Sequence, residues 1–324
     1  MKYLNFSTNG YNMKLSKIAL GTGRFGTRVE DELAFEMMSK YVECGGNLID
    51  TARSYSEWVP NGRGISERTI GKWLKTTDRD KIYICTKAGM NRINDEQVID
   101  LSKQTIITEF QESLNDLDVE YIDIFLLHRD EMDRAVEEIV ETVQYVYETG
   151  KVKAIGAANW SISRIKKANE YAIKNHMKPF SVIQTWWSLA EYTDNMWNDP
   201  TTTHMDKETY EYIKDNNNQI IAMGYTSQAR GFFSKGIELG VDNLDDFLKQ
   251  RILTEKNLKK LEVIKNYCQI NNCNPSNVVL GYIMNNPLDG IAMISCSNIE
   301  QLDIAMANSD SELGLDIINL LDSI

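Results

Sequence analysis

Eight short apolar runs, each separated from the next by a stretch of helical periodicity, set the narrowest limit on how this chain folds. The runs at 18–21, 47–50, 81–86, 121–127, 152–156, 180–184, 220–224 and 291–294 read as strands. Between and after them, helical spacing marks 30–44, 66–75, 102–117, 133–149, 161–175, 205–216, 255–270, 275–285 and 298–307, with Ser66 and Ser161 as N-caps and Pro275 at a helix start. A strand-helix-strand unit forces a parallel neighbour, and eight such units can close. The pattern therefore predicts an α/β fold, a (β/α)8 TIM barrel, as a single domain over 1–324. Asn9-Gly10, between two strand-like runs in 3–14, predicts a β-hairpin ahead of the barrel. The connections after strands six and seven, 189–203 and 225–254, are too long for turns and predict lids over a site. A doubly wound open sheet is the main rival. It fits less well, because the glycines of Gly21-Thr22-Gly23-Arg24-Phe25-Gly26 enclose Arg and Phe.

Composition narrows the function classes. The 324 residues are 42% hydrophobic, enough for a sizeable core, and 35 basic against 47 acidic residues leave a net charge of −12. That balance argues against general affinity for nucleic acid or an anionic membrane. No apolar run approaches a membrane span, and five cysteines without a C-x-x-C pair suit reduced thiols in a cytoplasmic protein. Oligomeric state is left open.

In a barrel the carboxyl ends of the strands converge on one face. Asp50 ends the second strand, Tyr55 lies on the loop beyond it, Lys87 follows the third strand and His128 the fourth. Each has an ordinary structural reading: Asp50 as a turn former, Lys87 as a solvated strand end, His128 as a hydrogen-bonded core histidine. Together they predict one cavity in which Asp50 pairs a lysine that is costly to bury alone.

Around these positions the sequence resembles the aldo-keto reductases over essentially its whole length. Asn47-Leu48-Ile49-Asp50-Thr51-Ala52-Arg53-Ser54-Tyr55 is similar to that family's N-x-I-D-T-A-x-x-Y signature, and Thr86-Lys87 and Leu127-His128 to its lysine and histidine motifs. Ile155-Gly156-Ala157-Ala158-Asn159-Trp160 resembles I-G-V-S-N-[FW], and the segment from Gly224 to Phe233 resembles A-Y-S-P-L-x-x-G-x-L.

The resemblance implies reversible reduction of an aldehyde, ketone or sugar-like carbonyl by NAD(P)H. Tyr55 would be the general acid, Lys87 the cation that strengthens it, Asp50 the support of Lys87, and His128 the group that orients the carbonyl. It implies that Gly21 and Thr22 touch the cofactor, that Asn159 and Gln184 hold its carboxamide and that Tyr225 stacks on the nicotinamide. Thr226, Ser227, Gln228, Arg230 and Gly231 would follow the pyrophosphate, with Ser295, Ser297 and Gln301 at the far end. Ala158 stands where the family usually has Ser, and no Lys or Arg follows Lys265, although many members carry a basic residue after strand eight for a 2′-phosphate. NADP(H) is expected by family habit, with NAD(H) as the alternative. Arg24, Trp58, Trp160 and Trp187, with Phe25 and Trp197, are expected to ring a pocket for a small-molecule carbonyl or sugar. The alternative function is a nucleotide-binding regulatory protein of the same fold with little turnover. No metal is expected, since a hydrolase built on Asp50 and His128 would lack paired histidines: only His128, His176 and His204 are present.

Overall fold

In the computed structural model, which describes residues 1–93, 96–193, 199–217 and 219–324, the eight runs become the staves of one closed parallel barrel. Ahead of it, β1 (Tyr3–Thr8) and β2 (Tyr11–Ser16) pair antiparallel. They turn at Asn9 and Gly10, whose φ values of 56° and 88° suit a two-residue hairpin. Leu4, Phe6, Met13 and Leu15 pack on barrel residues such as Leu48, Ile124 and Ile291, so the hairpin plugs the amino-terminal mouth.

The chain then runs β3 (Ile18–Gly21), α1 (Asp31–Glu43), β4 (Leu48–Asp50), α2 (Ile65–Leu74) and β5 (Tyr83–Ala88). A second hairpin, β6 (Met90–Ile93) with β7 (Glu96–Ile99), precedes α3 (Lys103–Leu117), β8 (Ile122–Leu127), α4 (Val136–Glu148), β9 (Val152–Ala158), α5 (Ile162–Lys174) and β10 (Val182–Trp186). Then come α6 (Lys207–Asp215), β11 (Ile221–Tyr225), α7 (Phe232–Leu239), α8 (Asp246–Arg251), α9 (Glu255–Asn271), α10 (Pro275–Met284), β12 (Gly290–Ile294), α11 (Ile299–Met306) and α12 (Leu315–Asp322). The barrel order is β3-β4-β5-β8-β9-β10-β11-β12, closed by β12 against β3.

Strands covered on both faces need continuous apolar runs, and β8 (Ile-Asp-Ile-Phe-Leu-Leu) is buried at all six positions. Its one charge, Asp123, is compensated near the start of the strand by Arg79 Nη2 (2.8 Å), Lys153 Nζ (2.7 Å) and the Ile84 amide (2.8 Å). This ionic cluster lies at the end of the barrel away from the carboxyl ends of the strands.

Several expected boundaries shift. β5 continues to Ala88, so Lys87 lies inside a strand and not after it, and β10 continues past Gln184 to Trp186. Helix α2 starts behind Gly64 (φ 69°), so Ser66 is no N-cap. Its hydroxyl lies 2.9 Å from those of Thr22 and Thr51, joining the loops after β3 and β4. The long segment after β11 folds as a helical layer whose Phe232, Phe233, Leu248 and Ile252 share a core with α9 and α10. Among the described residues, no helix is long and apolar enough to cross a membrane.

Candidate active site

Three adjacent strands bring the expected tetrad together. Asp50 closes β4, Lys87 lies in β5, and both are fully buried. The Lys87 ammonium has three N–H donors and meets three acceptors: Asp50 Oδ2 (2.7 Å), the Thr51 carbonyl (2.7 Å) and Tyr55 Oη (3.0 Å). Tyr55 lies in a turn closed by its amide on the Ala52 carbonyl (3.1 Å), and its hydroxyl donates to Asp50 Oδ2 at 3.2 Å. The other oxygen, Asp50 Oδ1, accepts from Gln184 Nε2 (2.8 Å), so an amide on β10 reaches across the barrel mouth. His128 follows β8 directly, its ring edge-on to Tyr55 at 5.8 Å between centroids. Its Nδ1 lies 3.1 Å from Ser54 Oγ, a partner that no sequence signal singled out.

Burial and charge set the protonation states. Burial pushes the Tyr55 phenol up to about 12; Lys87 opposes that rise and Asp50 adds to it. Burial alone would lower the Lys87 ammonium, but Asp50 and Tyr55 outweigh it and hold the group above the usual lysine value. His128 is held well below the usual imidazole value, by burial first and then by Arg129 and Lys87. At neutral pH the site therefore holds a charged lysine, a protonated phenol and a neutral imidazole.

A cleft of about 620 Å³ opens beside this centre, between the segment after β11 and the segment joining β12 to α11. Thr226, Ser227, Gln228, Arg230 and Gly231 line one wall, and Ser295, Ser297 and Gln301 the other. The first wall bends sharply, with positive φ at Thr226, Ala229, Arg230 and Gly231. Ser227 is anchored by its hydroxyl on the Met293 carbonyl (2.6 Å). Arg24 belongs to this cleft also: its Nη1 donates to Ser297 Oγ (2.7 Å). Between cleft and tetrad, Tyr225 donates to Asn159 Oδ1 (2.6 Å), while Asn159 Nδ2 donates to the His128 carbonyl (3.3 Å). Gly21 pairs with Asp50 in the sheet, and Thr22 Oγ1 donates to the Asp50 carbonyl (2.9 Å), bracing the acid from the next strand.

The aromatic ring of residues expected at the pocket mouth is only partly assembled. Trp58 stands on the loop beyond Tyr55 with 45% of its surface exposed. Trp160 is buried edge-on to Phe180 and donates to the Arg129 carbonyl (3.0 Å). Trp187 packs over the barrel wall at Gly290, where a Cβ would come within 2.5 Å of the indole, so a glycine there is what admits the ring. Phe25 is buried in the main core, and Trp197 lies outside the described residues. Two arginines near the centre are already matched: Arg53 by Glu67, Glu112 and Asp116, and Arg129 by Asp199. Among the described residues no group of three or more His, Cys, Asp or Glu side chains is placed to hold a metal ion.

A sequence model described as the aldo/keto reductase family matches residues 17–324. Aldo-keto reductase YhdN of Bacillus subtilis (strain 168) is 28% identical over 239 residues, covering 72% of this chain and 64% of that protein. Uncharacterized oxidoreductase YrpG of the same organism is 26% identical over 330 residues, covering 100% of this chain and 96% of that protein. Norsolorinic acid reductase of Aspergillus flavus is 29% identical over 202 residues, covering 58% of this chain and 50% of that protein. The match thus spans under two thirds of the length of YhdN, half of the fungal reductase and nearly all of YrpG.

Proposed function

The chain belongs to the aldo/keto reductase family, and from that premise we propose that it reduces an aldehyde, ketone or sugar-like carbonyl with NAD(P)H, reversibly. The observation that carries this reading is the closed set of contacts among Asp50, Lys87 and Tyr55 beside a buried His128. NAD(P)H, when bound, supplies a hydride to the carbonyl carbon and leaves as NAD(P)+. Tyr55 gives its phenolic proton to the carbonyl oxygen, so the C=O π bond is replaced by one C–H and one O–H bond. Lys87 stabilises the phenolate left behind, and Asp50 keeps the ammonium charged and aimed. At rest the Tyr55 proton leans on Asp50 at 3.2 Å, long for an O–H donor, and a substrate oxygen takes that contact over. In alcohol oxidation the same phenolate accepts the proton.

The residues present fit a dinucleotide. A cleft of about 620 Å³ falls within the roughly 300–1,000 Å³ of small-molecule sites. Gln184 donates to Asp50 and keeps its carbonyl oxygen as what it offers a carboxamide. Arg24 has no carboxylate partner among the described residues and shares the cleft with Arg230. These guanidiniums offset pyrophosphate charge and give a 2′-phosphate the charge-assisted bonds that the segment after β12 lacks. They favour NADPH over NADH. Because Arg53 and Arg129 are matched by carboxylates, the reading favours an uncharged carbonyl substrate.

The test is a fluorescence titration of the protein with NADPH and with NADH, followed by a panel of aldehydes, aldoses and inositols with the tighter cofactor. NADPH is expected to bind at least about tenfold more tightly, the scale of one charge-assisted hydrogen bond, and to be oxidised by neutral carbonyls. Binding without turnover across the panel favours a regulatory protein instead. Binding of neither nucleotide defeats both readings.

A further inference from the structure

The hydroxyl of Ser54 meets a ring nitrogen of His128 in a buried place. Ser54 is 5% exposed and His128 6%, and Ser54 Oγ lies 3.1 Å from His128 Nδ1. Two arrangements satisfy that distance. If Nδ1 carried hydrogen, it would donate to Ser54 Oγ, and the serine's own proton would then have no acceptor among the described residues in a buried place. An unmade hydrogen bond of that kind is costly. If Ser54 donates to a bare Nδ1, both groups are satisfied at once. A neutral imidazole has only one proton, so it then resides on Nε2.

We propose that Ser54 is a positioning residue that holds His128 as its Nε2–H tautomer, so that the ring presents a donor to the substrate oxygen. The alternative tautomer would present a lone pair to an oxygen gaining negative charge, which repels where the donor attracts. The arrangement suits a ring that stays neutral, since burial first, and then Arg129 and Lys87 nearby, disfavour a second proton. An uncharged donor also leaves the Lys87–Asp50 pair undisturbed. Ser54 reaches the histidine because the turn that delivers Tyr55 also carries its neighbour: the Arg53 amide bonds the Lys87 carbonyl (3.0 Å), and the Tyr55 amide bonds that of Ala52. One short turn therefore supplies both the acid and the group that sets the partner's tautomer. The tautomer assignment stands on geometry alone, whereas its effect on rate rests on the carbonyl-reductase reading above.

Nitrogen-15 NMR of the full chain labelled in histidine separates the two. With only His128, His176 and His204 present, the imidazole signals are assignable by comparison with a His128→Gln sample. In the wild type His128 should show a protonated Nε2 and a bare Nδ1; in Ser54→Ala it should show mixed or exchanging tautomers, and in Ser54→Thr the wild-type pattern. Ser54→Ala should lower kcat about tenfold, the scale of one hydrogen bond that strengthens in the transition state. KM should change less than kcat, and Ser54→Thr should recover most of the rate. A wild-type signal with the proton on Nδ1 overturns the proposal, as does a Ser54→Ala variant with unchanged tautomer. If the wild type turns over no carbonyl, the function fails and the spectra still decide the tautomer.

Discussion

Replacing Tyr55 by Phe is expected to lower kcat for carbonyl reduction by about 10²- to 10⁴-fold, the range for loss of a positioned general acid, with cofactor Kd hardly changed. Nothing but the hydroxyl is removed. The ring keeps its edge contact with His128, and its packing beside Gly23 survives. The hydroxyl is the one group in the site that holds a transferable proton and is also bonded to a buried cation. Its pKa of about 12 has a pH consequence. A folded-state value raised above the reference of about 10 means that folding favours the protonated phenol. That contribution is complete below pH 10 and is lost as pH rises through 12. The acid stays loaded at every ordinary pH, and reduction should show no alkaline fall due to Tyr55 until far above neutrality. Alcohol oxidation, which needs the phenolate, should instead rise with pH. Steady-state rates in both directions and a fluorescence titration of the cofactor check this together. A Phe variant that keeps most of its kcat would hand the proton to another donor and end the assignment of Tyr55.

The tetrad was legible before any coordinates because barrel geometry turns sequence position into spatial position. The carboxyl ends of the apolar runs gather around a common mouth, and Asp50, Lys87 and His128 sit at or within two residues of such ends. The strands themselves were legible for a related reason: burial on both faces demands uninterrupted apolar stretches, as in β8. What stayed hidden follows from the same logic. The β6–β7 hairpin reads Met-Asn-Arg-Ile and Glu-Gln-Val-Ile, too polar to signal strands. Helices α7 and α8 are eight and six residues long, interrupted by glycines and turns, so their periodicity never accumulates. Helix α12 did carry a signal in Ile317, Ile318 and Leu321, at helical spacing. Contacts between distant loops have no sequence signature, and the bond from Arg24 to Ser297 spans 273 positions. Tryptophan content likewise says nothing of direction: Trp58 points outward while Trp160 and Trp187 pack inward. The Ser54–His128 contact was hidden because a serine before a tyrosine looks like any loop residue until the turn that carries both is seen.

Lys87→Met should be the most destabilising single change at the site, and pairing it with Asp50→Asn should separate stability from catalysis. With lysine gone, the fully buried Asp50 carboxylate loses its cation and keeps neutral partners such as Gln184 and the long Tyr55 contact. Removing one partner of a buried ion pair typically costs about 3–5 kcal/mol, because the remaining charge is stranded in a poor solvent for it. In a chain of this size that is a fall in melting temperature of roughly 10 °C. In Lys87→Met/Asp50→Asn no buried charge remains, and most of the lost stability should return, since replacing both members of such a pair is often close to neutral. Turnover should not return. Lys87 is the group that opposes the upward push of burial on the Tyr55 phenol, and without it the acid weakens and its phenolate has no cation beside it. Both variants should therefore stay about 10² to 10⁴ below the wild type in kcat, as expected when a general acid is disabled. Thermal melts together with steady-state rates make the separation. A Lys87→Met protein that melts like the wild type would mean that Asp50 does not depend on this lysine for its charge.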